Sequence, residues 1–178
     1  MNPTRRTPLF IITGASCVGK STMCEILFRN ESQYIVLEGD ILWTDFYNTP
    51  DDDYRRYREL WMRVCKNISQ IGMPVVLCGC ATPKQFERCD ERKSFTDIHY
   101  LAVVCDSDVL EKRMTAQRGV TDEKWIRSSI EFNVWLKENA EKTEPAIYLL
   151  DNSELSPKEA AEIADKWIRE HMELDGLR

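Results

Sequence analysis

Between Gly14 and Ser21 the sequence runs G-x-x-x-x-G-K-S, through Ala15, Ser16, Cys17, Val18, Gly19 and Lys20, and a second hydroxyl follows at Thr22. Residue types in this order suit the holding of a polyanion. The two glycines permit backbone angles that a side chain would block, so successive N–H groups converge on phosphate oxygens. Lys20 would place a positive charge on the β- and γ-phosphates of a nucleotide. The Ser21 hydroxyl would ligate a magnesium ion bridging the same two groups, and Thr22 would reach the α-phosphate. An ordinary glycine turn between a strand and a helix needs neither the lysine nor the hydroxyls at these positions.

Moving a phosphoryl group also requires an acceptor oxygen in line with the γ-phosphate. Asp40 is the best-placed carboxylate, able to orient an acceptor hydroxyl and take its proton. Glu38, two residues earlier, would point the same way along an extended chain. Either could instead hold magnesium through water, and Asp40 could merely cap residues 41–46. Arg113, Arg118 and Arg127, with Gly119 as a hinge, have the layout of a mobile lid whose guanidinium groups meet charge on the transferred group; the competing reading is a solvated helix face. Trp43, Phe46 and Tyr47, mixed with Asp45 and Asn48, suit a flat or sugar-like polar substrate, or else a helix packed on the core. Arg55, Arg56 and Arg58 could bind an acceptor phosphate. His99 and His171 stand alone and are given no chemistry.

The elements that must position these groups show in the apolar pattern. Short buried runs at residues 9–13, 34–37, 75–78, 101–105 and 146–150 are each followed by a helical pattern. Strands alternating with helices predict a parallel sheet with right-handed crossovers, and ligands in such sheets sit outside the carboxyl ends of the strands. The phosphate loop, Glu38, Asp40, Cys80, Asp106 and Asp151 all fall there. Tyr54, Tyr57, Trp61, Val64, Ile68 and Ile71 share one face of a long helix, which reads as core. Thr82-Pro83 and Ser156-Pro157 with Glu159 read as helix starts, the last helix running to about Met172.

A chain of 178 residues, 43% hydrophobic and 30% charged, predicts a single domain spanning 1–178. Its net charge of −6 argues against a protein that grips nucleic-acid backbones. The N-terminal apolar run is too short for a leader or a membrane span, so a cytoplasmic protein is expected. Seven cysteines, scattered and odd in number, show no disulfide framework or zinc spacing, and reduced thiols are expected. Cys17 stands apart because it lies inside the phosphate loop.

The stretches GASCVGKST, EGD, VLEKRMTAQR and LLDNSELSPKEAAE together resemble the small P-loop kinases that phosphorylate nucleosides, nucleotides and other metabolites. The resemblance implies an α/β fold with a five-stranded parallel sheet of order 2-3-1-4-5, helices on both faces and a short lid. It implies that Asp40 lies close to the acceptor, as the aspartate after the second strand does in gluconate and adenylylsulfate kinases. It also implies that Arg113 stacks on adenine, that Arg118 and Arg127 reach the phosphates, and that Asn152 and Ser153 help to hold the base. Two departures stand out. The third strand ends CGCATP where many relatives carry an acidic residue, and the lid has only three arginines. The expected activity is an ATP- and magnesium-dependent phosphotransfer to a small-molecule hydroxyl or phosphate, nucleoside- or nucleotide-like acceptors being favoured. The alternatives are a nucleotide-hydrolysing switch acting with a protein partner and a non-catalytic nucleotide-binding module. The sequence does not set the oligomeric state.

Overall fold

In the computed structural model, residues 6–30 and 33–176 are described. Residues 1–5, the start of the N-terminal stretch weighed above as a leader, lie outside them. Among the described residues no helix is long and apolar enough to cross a membrane.

Five strands form one sheet: β1 (Leu9–Thr13), β2 (Ile35–Glu38), β3 (Val75–Cys78), β4 (Ile98–Val104) and β5 (Ile147–Asp151). All pairings are parallel and the order is β2-β3-β1-β4-β5, as the resemblance implies. Central β1 is buried along its whole length because helices cover both faces. Its side chains alternate between two cores. Phe10 and Ile12 join Met23 and Leu27 of α1 (Lys20–Asn30), Leu110 of α4 (Ser107–Lys112), and Ala164 and Ile168 of α6 (Pro157–Leu174). Leu9 and Ile11 join Trp61 and Met62 of α2 (Arg55–Ser69), Phe86 of α3 (Pro83–Glu87) and Leu136 of α5 (Glu123–Asn139).

The two helix starts read from sequence both carry capping boxes, Thr82 with Gln85 and Ser156 with Glu159. β4 begins earlier than its apolar run because Ile98 and Tyr100 alternate with half-exposed His99 on a strand whose other positions are buried. Ile71 lies beyond the end of α2 and is exposed, so it leaves the apolar face to which its spacing assigned it.

Two expectations are corrected. Cys24 of α1 and Cys78 of β3 are joined in a disulfide, while Cys17, Cys65, Cys80, Cys89 and Cys105 are free. Both bonded thiols belong to one apolar layer, where α1 packs across the sheet; a separation of 54 residues leaves no spacing signal for this. Nor do the histidines stand alone. The rings of His99 and His171 lie 4.7 Å apart against Trp167, and His99 Nε2 is 3.0 Å from Asp175 Oδ2. This cluster sits where β4 begins, at the opposite end of the sheet from the phosphate loop.

Candidate active site

The loop leaves β1 at Gly14 and enters α1 at Lys20. Gly14 has φ 146°, and a Cβ there would lie 2.4 Å from the Val103 carbonyl oxygen, so the close approach of the loop to β4 requires glycine. The backbone N–H groups of Ser16, Cys17 and Gly19 donate to no group among the described residues. Lys20 Nζ donates to the Gly14 and Ala15 carbonyls, at 2.7 Å each, and thereby sits over the loop. Unspent donors, the lysine and the positive end of α1 converge, as an anion-binding loop requires. The residues present therefore fit a bound nucleotide. Ser21 is exposed beside them. Among the described residues no group of three or more His, Cys, Asp or Glu could hold a metal ion. The Ser21 hydroxyl is the group that would hold magnesium beside the loop, a sparse protein contribution normal for this ion.

A cavity of about 480 Å³ opens over the loop, with Ser16, Cys17, Lys20, Ser21 and Thr22 on its floor. Arg113, Arg118 and Asn152 form the lid side, and Leu155, Pro157 and Ala160 form an apolar wall. Arg113 opens a π-helical turn, Arg113–Gln117, that continues α4. Its guanidinium donates to the Val18 carbonyl and the Asn152 side-chain oxygen at 2.9 Å each and to the Asn152 carbonyl at 3.1 Å. Buried Asn152 in turn donates Nδ2 to Val18 O at 2.8 Å. The pair clamps the loop to the end of β5. Ser153 is used otherwise, accepting from the Asp106 N–H at 2.9 Å and donating to Asp151. Lys137 bridges Asp106 and Asp151 at 3.1 and 3.2 Å, so these two carboxylates form a network on the β4–β5 side.

Asp40 lies in a 3₁₀ turn, Gly39–Leu42, directly after β2. Two donors pin the turn from α2: Tyr57 Oη reaches the Gly39 carbonyl at 2.5 Å and Trp61 Nε1 reaches it at 3.1 Å. Burial pushes the Tyr57 phenol up to about 12, with the Asp40 charge adding to the rise, so it remains a donor at neutral pH. A second cavity, of about 530 Å³, is lined by Trp43, Tyr54, Tyr57, Arg58, Gln85 and Phe132 among others. Asp40, Ser16, Cys80 and Trp125 line both cavities. The carboxylate thus stands where the two spaces meet.

Of the residues singled out in the sequence, the structure brings together the loop, Asp40, Trp43, Arg113, Arg118 and Asn152. Glu38 is half-buried at the end of β2 and lines neither cavity, because the chain coils at Gly39 and breaks the strand alternation that aligned it with Asp40. Phe46 is exposed and Tyr47 half-buried in a separate 3₁₀ turn, Asp45–Tyr47, and neither lines either of these two cavities. Arg127 is exposed on α5, whose cavity-facing positions are Trp125, Ser128, Ser129 and Phe132; helical spacing turns residue 127 away. Arg55 is also exposed, 3.7 Å from both Glu59 and Asp90. The sequence reading missed Trp125 and Gln85. It also gave the Tyr54–Tyr57 face wholly to the core, although two aromatic rings one turn above a buried Trp61 are a usable signal of a cavity wall.

A glycine-rich loop between a buried central strand and a helix N-terminus, in a parallel sheet of this order, defines a P-loop nucleotide-binding protein. The chain belongs to the AAA-domain family, whose pattern it matches over residues 11–143. No curated protein matches the sequence. Among solved structures, a gluconokinase from Sinorhizobium meliloti is similar over 96% of this chain and 99% of its own, with 18% identity and a TM-score of 0.69. A sugar kinase from a Janibacter species is similar over 93% of this chain and 95% of its own, with 16% identity and a TM-score of 0.70. The tunicamycin resistance protein of Deinococcus radiodurans shares 14% identity over 97% and 98% of the two chains, at a TM-score of 0.64. The fold is that of the small P-loop kinases.

Proposed function

We propose that this protein transfers the γ-phosphate of ATP, with magnesium, to a hydroxyl of a small ring-bearing or sugar-like acceptor. The observation that carries this reading is the junction of two cavities at Asp40. One cavity has phosphate-binding features, the other has aromatic walls, and a carboxylate lies between them. A hydrolase needs room for water only, whereas a second cavity of about 530 Å³ matches the volume of a small organic ligand. The names of the similar structures, gluconokinase and sugar kinase, favour a polyhydroxylated acceptor; they lend no particular support to a nucleoside, which the sequence reading favoured.

In this reading the loop N–H groups and Lys20 hold the triphosphate, Ser21 contributes to the magnesium site, and Asp40 orients the acceptor hydroxyl and accepts its proton. Bound magnesium would neutralise charge on the β- and γ-phosphates. Arg118, exposed at the rim, would reach the transferred group when the segment around Gly119 moves inward. The second reading is a nucleotide-hydrolysing switch, in which water takes the place of the acceptor. ATP consumption measured across sugars, sugar acids, nucleosides and nucleoside monophosphates, with a no-acceptor control, separates the two. Stimulation by one class with a phosphorylated product detected by mass is expected; a rate equal to the control for every acceptor would support the switch.

A further inference from the structure

The uncharged polar side chains that follow β5 are spent on the protein itself. Asn152 is buried, donates Nδ2 to the Val18 carbonyl at 2.8 Å and accepts at Oδ1 from Arg113 at 2.9 Å. Ser153 is held between the Asp106 N–H and the Asp151 carboxylate. Ser156 caps α6, its N–H on the Glu159 carboxylate and its hydroxyl accepting from the Glu159 N–H. Glu154 is exposed and does not line the nucleotide cavity. What this segment turns toward that cavity is the apolar wall of Leu155, Pro157 and Ala160. The backbone N–H groups of Asn152, Ser153 and Ser156 and the Asn152 carbonyl are engaged as well, and Pro157 has no N–H. On the lid side Arg113 makes three donations to Val18 and Asn152. The uncharged polar group left there is the amide of exposed Gln117, which carries a donor and an acceptor and exchanges them by a half-turn.

A base that meets no fixed partners is held by its faces. Apolar contact and the plane of a guanidinium suit every nucleobase, because each has a π face. Telling adenine from guanine requires groups that fix the order of donors and acceptors along the base edge. We propose that the nucleotide cavity does not read the base, so that this protein uses ATP and GTP nearly alike, with Leu155 as the residue that sets affinity for the base. Asn152 is then a positioning residue, which acts on the loop through Val18 and not on the base. The proposal rests on nucleotide binding at the loop and widens the phosphate donor of the phosphotransfer reading. One hydrogen bond to a base edge, from Gln117 or from the backbone between Ser153 and Leu155, gives a preference of about tenfold at most. A site whose buried side chains must all be matched discriminates by about 10⁴-fold. The difference between these two factors is what an experiment can read.

The test is titration calorimetry of ADP and GDP with magnesium, two ligands of similar size and different edges, and of tripolyphosphate, which has no base. It is run on the wild type, Leu155→Ala and Asn152→Ala. In the wild type the two diphosphates are expected to bind within about tenfold of each other. Leu155→Ala should weaken both by a common factor of about five, the loss of part of an apolar contact, and leave tripolyphosphate unchanged. Asn152→Ala should weaken all three ligands, with the ratio of ADP to GDP unmoved. A wild-type preference above about tenfold for either diphosphate overturns the proposal, as does a change of that ratio in Asn152→Ala, which would make Asn152 a reader of the base. A loss of tripolyphosphate equal to that of ADP in Leu155→Ala removes Leu155 from the base site. Absence of saturable binding of both diphosphates overturns the proposal together with the nucleotide site. If ADP and GDP bind alike and no acceptor is phosphorylated by ATP or GTP, the proposal stands and the phosphotransfer reading falls alone.

Discussion

At Gly39 the absence of a side chain decides where Asp40 stands. A Cβ there would meet the Cys78 carbonyl oxygen at 2.8 Å and the Tyr57 hydroxyl at 3.1 Å, so only glycine lets the end of β2 lie against β3 with its carbonyl between two ring donors. The EGD stretch was singled out in the sequence as the end of the second strand; the pinning by Tyr57 and Trp61 was not legible, because those residues follow 18 and 22 positions later. For Asp40 itself, Asp40→Asn keeps the shape and removes the carboxylate proposed as the base. We expect kcat to fall by about 100-fold or more with little change in ATP affinity, measured by steady-state kinetics and ADP titration. A matching loss of ATP affinity would move Asp40 to the metal. Lys20→Ala should abolish turnover while circular dichroism and the melting temperature remain close to wild type, since its ammonium is assigned to transition-state charge. Undiminished turnover would remove Lys20 from the reaction.

Among the elements, α5 has two tasks: it walls the second cavity and it braces the carboxyl end of β4. The brace is Asn133, fully buried, which accepts from the Cys105 N–H at 3.2 Å and donates to the Cys105 carbonyl at 2.8 Å. These backbone groups lie just past β4, beyond its ladder with β5, and have no strand partner. Asn133→Ala would leave both unsatisfied in an apolar layer, at a cost of roughly 2 to 4 kcal/mol. Urea denaturation should show this as a lower midpoint at unchanged slope, and a loss below about 0.5 kcal/mol would mean that the tie carries no energy. The sequence reading placed Arg127 of α5 in a lid, and an asparagine amid Phe132, Val134 and Trp135 gives no sign of its backbone partner.

Across the whole molecule, the core beneath α2, α3 and α5 holds two thiols and a phenol that keep their protons to higher pH when folded. Burial pushes Cys65 and Cys89 from 9.0 up to about 12, and Tyr57 from 10.0 up to about 12. The folded state therefore keeps protons that the unfolded chain releases above about pH 9, and stability must fall as pH rises through the window from there to about pH 12. Below that window these groups contribute no pH dependence. Melting temperatures at pH 8, 9, 10 and 11 should decline above 9, and Cys65→Val with Cys89→Ala should flatten the decline; a constant melting temperature over this range would contradict the assignment.

The sequence by itself determined what depends on neighbours in the chain. Strand and helix alternation, the phosphate loop, the Thr82-Pro83 helix start and the Ser156 capping box are contiguous patterns in which spacing alone sets direction and face. The tertiary structure decided what depends on elements meeting. It folded Arg113 and Asn152 onto Val18 and sent Arg127 outward. It joined Cys24 to Cys78 and brought His99 beside His171. It also buried one arginine of the Arg55, Arg56 and Arg58 group in a cavity wall. Local spacing cannot distinguish these three arginines, because what separates them is the position of Asp53, Tyr54 and Gln85 around the helix once α2 and α3 have packed on the same face of the sheet.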